Sequence, residues 1–167
     1  MSKTITVMAF LLLFPLSLLS QVPSSEADEL AATSDVIVVG KVGKLVSEWN
    51  ENRSRIQTRI SIAVDETIKG SQASGPVEVI IPGGEVDGVG EWYSHTTRFE
   101  KDENIVLFAT KDARGRLGVT GGDHGKFSIT KDPSTGIRMI PRIGSLDSFT
   151  TRIRQSLAIQ QSRSKRK

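Results

Sequence analysis

Between residues 56 and 64 the chain alternates. Ile56, Thr58, Ile60, Ile62 and Val64 fall on one side, and Gln57, Arg59, Ser61 and Ala63 on the other. A period of two is the mark of a strand with one buried face. Val77, Val79 and Ile81 alternate with Glu78 and Ile80 up to Pro82, which predicts another strand. Upstream, 36–42 is a β-branched run with Gly40 near its centre. A glycine there predicts a bulge or bend, the device that curves a strand around a small barrel. Residues 105–109 (Ile-Val-Leu-Phe-Ala) are apolar without a break, as in a strand buried on both faces. Asp112 and Gly115 give 111–116 a turn composition, predicting a hairpin into 117–120. Two further short strands, 126–130 and 137–140, flank the turn Asp132-Pro133-Ser134-Thr135-Gly136. The connections are a polar turn at 48–54, a loop at 71–76 and a charged turn at 100–104. Residues 83–99 form a long glycine-rich loop without a period.

The last part of the chain changes period. Leu146, Phe149, Ile153 and Leu157 make one stripe of a helix over 146–158, with Ser145 as N-cap and Asp147 in the first turn. At the other end, 29–33 reads as a single helical turn after a polar linker at 22–29. Many short strands, a bent strand and a terminal helix predict a mainly β domain, a small barrel or sandwich, over 28–159.

The first residues belong to something else. Lys3 supplies a positive charge, and 5–19 is apolar apart from Thr6, Pro15 and Ser17. The run is shorter than a membrane span needs and Pro15 interrupts it, so it reads as a signal-peptide helix, cleaved near Ser20 or Ala27. The expected location is secreted or periplasmic, with no transmembrane segment after cleavage. The chain has no cysteine, which removes disulfides, thiolate metal sites and a cysteine nucleophile. The formal net charge of +3 comes from the end, where Arg152, Arg154, Arg163, Lys165, Arg166 and Lys167 follow the last acid, Asp147. Residues 160–167 read as a disordered basic tail. Without aromatics in that tail, no nucleic-acid partner is expected.

Candidate chemistry is sparse. Gly121-Gly122-Asp123-His124-Gly125-Lys126 resembles a phosphate loop only superficially, because Thr120 and Phe127 stand where Gly and Ser/Thr are required. The two histidines, His95 and His124, lack the spacing of a zinc pair, although Glu85, Asp87 or Asp123 could join them. Glu85 and Asp87 are too few for a calcium loop. No serine sits in a Gly-x-Ser-x-Gly elbow. No cofactor or metal is expected. Trp92 and Tyr93 stand together in the long loop, open to two roles: anchors for a partner, or a lid folded over the barrel end.

The segments Ala32-Thr33-Ser34-Asp35-Val36-Ile37-Val38-Val39-Gly40-Lys41-Val42, Val64-Asp65-Glu66-Thr67-Ile68-Lys69-Gly70 and Val77-Glu78-Val79 resemble uncharacterised exported bacterial domains. More distantly they are similar to the netrin-like module of tissue inhibitors of metalloproteinases. The resemblance implies an OB-like β-barrel of five to seven strands with a C-terminal helix. It does not carry over the inhibitors' chemistry, which requires an N-terminal cysteine and disulfides. The function expected is therefore non-enzymatic: an exported binding or interaction domain for an extracytoplasmic protein or ligand. Its candidate contacts are Trp92, Tyr93, His95, Asp123 and His124. The second reading is a small hydrolase or metal-dependent enzyme using His95 and His124.

Overall fold

Residues 24–71 and 75–164 are described in the computed structural model of this chain. The signal segment expected over the first twenty residues lies outside them, as do 165–167. Helix α1 (Ser24–Thr33) is followed by two long strands, β1 (Val36–Trp49) and β2 (Ile56–Lys69). Next come β3 (Val77–Pro82) and a small hairpin, β4 (Gly84–Val86) and β5 (Val89–Glu91). Strands β6 (Asn104–Lys111) and β7 (Leu117–Val119) lead through a 3₁₀ turn at Gly122–Gly125 into β8 (Lys126–Lys131). The chain ends with β9 (Arg138–Ile140), β10 (Gly144–Ser145) and α2 (Leu146–Ser164).

The fold is mainly β, built on a closed five-stranded barrel. Going round the wall the order is β1, β2, β3, β7, β6 and back to β1. Every pairing is antiparallel except β3 with β7, which run parallel and meet at the single pair Val79↔Leu117. Strand β6 divides one edge between two partners: Ala109–Lys111 pair with β7, while Asn104–Leu107 pair with β8. Strands β8, β9 and β10 continue from there as a flap that delivers the chain to α2.

Gly40 bends β1 as the sequence predicts. The β1–β2 register shifts between Val39 and Gly40, and again between Val42 and Leu45. A Cβ at Gly40 would collide with the Ala63 carbonyl oxygen and with Ile62 Cγ2, so only glycine allows β2 this close.

Alternation along β1 and β6 feeds two cores. Val36, Val38, Val42, Ile105, Leu107 and Ala109 point into the barrel, where they meet Ile60, Ile62, Val77, Val79 and Phe99. Ile37, Val39, Val106 and Phe108 face outward under the helices, against Leu30, Ala31, Phe149, Ile153 and Leu157. This explains the unbroken apolar run in β6: both faces are covered. Each such side chain removed from water contributes about 1.5–3 kcal/mol. Phe108, Phe127 and Phe149 interlock at centroid distances of 5.1–6.4 Å, in tilted and edge-on arrangements.

The helices are fastened by polar contacts at their ends. The Ser148 amide donates to Ser145 Oγ, the N-cap of α2. Lys69 Nζ donates to the carbonyls of Ala31 and Ala32 at the C-terminal end of α1. Ser34 Oγ bridges the Leu30 carbonyl and Thr120 Oγ1.

The structure extends several sequence-based boundaries. Residues 24–28, read as linker, belong to α1, where Ala27 is buried. Strands β1 and β2 run past 42 and 64, and α2 continues to Ser164. The loop assigned to 83–99 contains the β4–β5 hairpin.

Candidate functional site

The long segment after β3 is held in place from its first residue. Thr58 Oγ1 donates to the Gly83 carbonyl at 2.7 Å and also contacts Ser47 Oγ at 3.0 Å. Gly84, at φ +135°, sits against both hydroxyls, so a side chain there would displace them. The hairpin then turns on Asp87 and Gly88, at φ of 51° and 78°. Two consecutive positive φ values are what a two-residue hairpin turn demands, and Asp-Gly is a pair that supplies them.

Trp92 and Tyr93 emerge directly after β5. Trp92 is 81% exposed and Tyr93 42%. The Tyr93 hydroxyl donates to Glu91 Oε2 at 2.8 Å. That hydrogen bond and the carboxylate's charge push the phenol above its usual range. Neither ring closes the barrel. That task falls to Phe99, which is 9% exposed within the barrel core. The stretch leading to it is pinned by Thr97 Oγ1, which donates to the Gly122 carbonyl.

Behind Phe99 lies a nearly buried ion pair. Lys126 Nζ donates to both Glu103 oxygens at 2.7 and 2.8 Å, and lies 5.5 Å from the Phe99 ring centroid. Burial works against the Glu103 carboxylate, but hydrogen bonds from Lys126 and Ser128 outweigh it and hold the carboxyl below its usual range.

Two grooves meet at Tyr93. The first, about 810 Å³, lies between the hairpin and the open ends of β1 and β2; Leu45, Trp92, Tyr93 and Phe99 supply its apolar wall. Glu85, Glu91 and Glu100 line it against one base, Arg98. The second, about 530 Å³, opens beyond the single β3–β7 pair, with Ile80, Leu117 and Val119 along it. Its polar lining includes Arg55, Lys111, Arg116 and Asp112. Arg114 reaches Glu51 at 2.8 Å, tying the β6–β7 turn to the β1–β2 turn.

The structure separates the five residues singled out in the sequence into two groups. Trp92 and Tyr93 belong to the grooves. His95, Asp123 and His124 gather elsewhere, where the 3₁₀ turn meets α1, and line neither groove. His124 Nδ1 lies 2.7 Å from Glu26 Oε1, and its Nε2 is 3.5 Å from Asp123; His95 Nδ1 stands 4.0 Å from the same aspartate. This exposed chain of acids and imidazoles clips α1 to the barrel. Among the described residues no three His, Cys, Asp or Glu side chains are placed to hold a metal ion. Glu91 and Glu100 were not singled out in the sequence. The Asp87-Gly88 signal marks the hairpin that carries Glu91 to the groove, whereas Glu100 shows in the sequence only as the first residue of the charged turn at 100–104.

Compared with protein-family models, curated proteins and solved structures, the chain matches none. Among the described residues no helix is long and apolar enough to cross a membrane.

Proposed function

We propose that this chain is an exported, non-enzymatic binding domain, an OB-like barrel that captures a partner with Trp92 and Tyr93. The observation that carries this reading is the placement of Trp92, which leaves most of its ring in water at the lip of an 810 Å³ groove. Core closure does not need that ring, because Phe99 provides it. Large aromatics with an exposed face are the usual anchors of interfaces. The barrel's order, 1-2-3-5-4-1 when its own strands are counted, is in keeping with an OB-type wall. Such walls bind ligands on the face of their second and third strands, between the loops after strands one and four. Here that position is the 530 Å³ groove, which shares Tyr93 with the larger one. Export rests on the sequence of the first twenty residues.

The test is a double variant, Trp92→Ala with Tyr93→Ala. Capture of the partner isolated with the parent protein should fall at least about tenfold, the cost of one or two anchors. The melting temperature should stay within about 2 °C, because exposed side chains contribute little to stability. A large fall in melting temperature would make the two rings part of the core and end this reading.

A further inference from the structure

The larger groove has a definite chemical polarity. Its apolar wall is aromatic at the lip, and the carboxylates of Glu85, Glu91 and Glu100 stand around it. Several acids on the barrel are ion-paired: Glu48 with Arg59, Glu51 with Arg114, Asp102 with Lys41, Glu103 with Lys126. Among the described residues, Glu85, Glu91 and Glu100 have no basic group within ion-pair distance. Thus the groove edged by the open face of Trp92 sets three carboxylates against a single base, Arg98, and carries a net negative charge.

We propose that this groove receives an extended, lysine- or arginine-bearing peptide segment of a partner protein. The inference rests on the binding reading above and adds the chemistry of the partner. A cationic side chain laid over the Trp92 face gains from the ring's quadrupole, and best of all over an indole. The three carboxylates supply the complementary charge, which steers the segment in and discriminates against acidic ones. Its main chain has somewhere to dock. Among the described residues strand β5 pairs with β4 alone, through Gly84↔Glu91, Glu85↔Gly90 and Val86↔Val89, so midway along its outer edge Gly90 turns its amide and carbonyl away from β4 as a docking point for an added strand. An added strand presents alternate side chains to the groove, so the recognised pattern is a base at every second position.

The chain provides its own reporter. It has two tryptophans, Trp49 and Trp92, and Trp49→Phe leaves the lip residue alone. Two blocked eight-residue probes are titrated into that variant, one alternating lysine with valine and the other glutamate with valine. The lysine peptide should change Trp92 fluorescence saturably below about 1 mM, the weak end of specific recognition. The glutamate peptide should not. Replacing Glu85, Glu91 and Glu100 together by Gln should weaken the lysine peptide at least about tenfold, and raising salt from about 0.05 to 0.5 M should weaken it in the parent but little in the triple variant. Equal response to both peptides, no response to lysine, or undiminished affinity in the triple variant overturns the inference. If the aromatic double variant loses its partner while the glutamine variant keeps it, the binding domain stands and its cationic specificity falls. If neither variant affects capture, both fall.

Discussion

The two halves of the barrel wall are built alike and covered differently. Strands β1 and β6 are roofed by α1 and α2, so Ile37, Val39, Val106 and Phe108 are buried on what would otherwise be the outside. The second half of β2 meets the helices through Glu66, Ile68 and Lys69; its first half and strands β3 and β7 have no roof. Their outward positions carry Gln57, Arg59, Glu78, Ile80 and Gly118, and the 530 Å³ groove opens there. The roofed half places hydrophobic area on both faces of the sheet and so supplies most of the stability. The bare half holds the barrel together with its inner face alone and leaves its outer face free to meet another molecule.

That contrast can be broken by mutation. The largest effect should come from Phe108→Ala, which empties the centre of the Phe108–Phe127–Phe149 cluster. A loss of about 3–5 kcal/mol is expected, read by denaturant unfolding. Should Ile80→Ala on the bare wall cost as much, the two halves are equivalent and the contrast is wrong.

Next comes the ion pair behind Phe99. Lys126→Met leaves the Glu103 carboxylate with only the Ser128 hydroxyl and the Glu100 amide as donors and no opposite charge, at a cost on the order of 3 kcal/mol. Because the folded carboxyl titrates below its unfolded value, its contribution is fully present above the ordinary glutamate range. It is lost as the pH falls through the folded value. Melting temperatures of the parent should therefore decline below about pH 4.5, and the variant's should decline less steeply over that window. Parallel pH curves would remove Glu103 from this account.

A smaller effect, about 1–3 kcal/mol, is expected for Gly84→Ala, which forces a methyl group at φ +135° against Ser47 and Thr58. It sharpens the contrast, because it asks whether the binding segment is fixed by the barrel or merely tethered to it. Displacement of the hairpin should disturb Trp92 fluorescence; an unchanged spectrum would mean that the hairpin does not depend on this anchor.

The strands nearest the cores were legible in the sequence because burial writes a period into the chain. Ile56–Ile62 alternate since only the inner face of β2 is covered, and 105–109 do not alternate since both faces of β6 are. The far ends of β1 and β2 were unreadable. Past Val42 every β1 position is half-buried or exposed, so Lys44 and Ser47 obey no burial pattern; past Val64 β2 still alternates, but Glu66 takes a half-buried place between Val64 and Ile68 and interrupts the apolar series. Helix α1 hides behind alanines: Ala27 and Ala31 are buried yet too small to stand out in a polar stretch. The hairpin carried a turn signal at Asp87-Gly88, but three residues on each side were too few to show an alternation. Of the candidate site, the aromatic pair was visible as an oddity of composition. Its separation from His95, Asp123 and His124 was not, because proximity in sequence says nothing about which side of a loop a residue leaves by.

The strand β6 has a bearing on how the molecule comes into being. Its partners include β1, far upstream, so the barrel shuts only by a pairing of high sequence separation, which is slow beside the local β1–β2 ribbon. Until then Ile105–Ala109 is an unprotected sticky segment. The chain brackets it with charge: Glu100, Lys101, Asp102 and Glu103 before it, Lys111 and Asp112 after it. Charges placed so are of the gatekeeper kind, which by like-charge repulsion and solvation disfavours pairing of such segments between nascent copies.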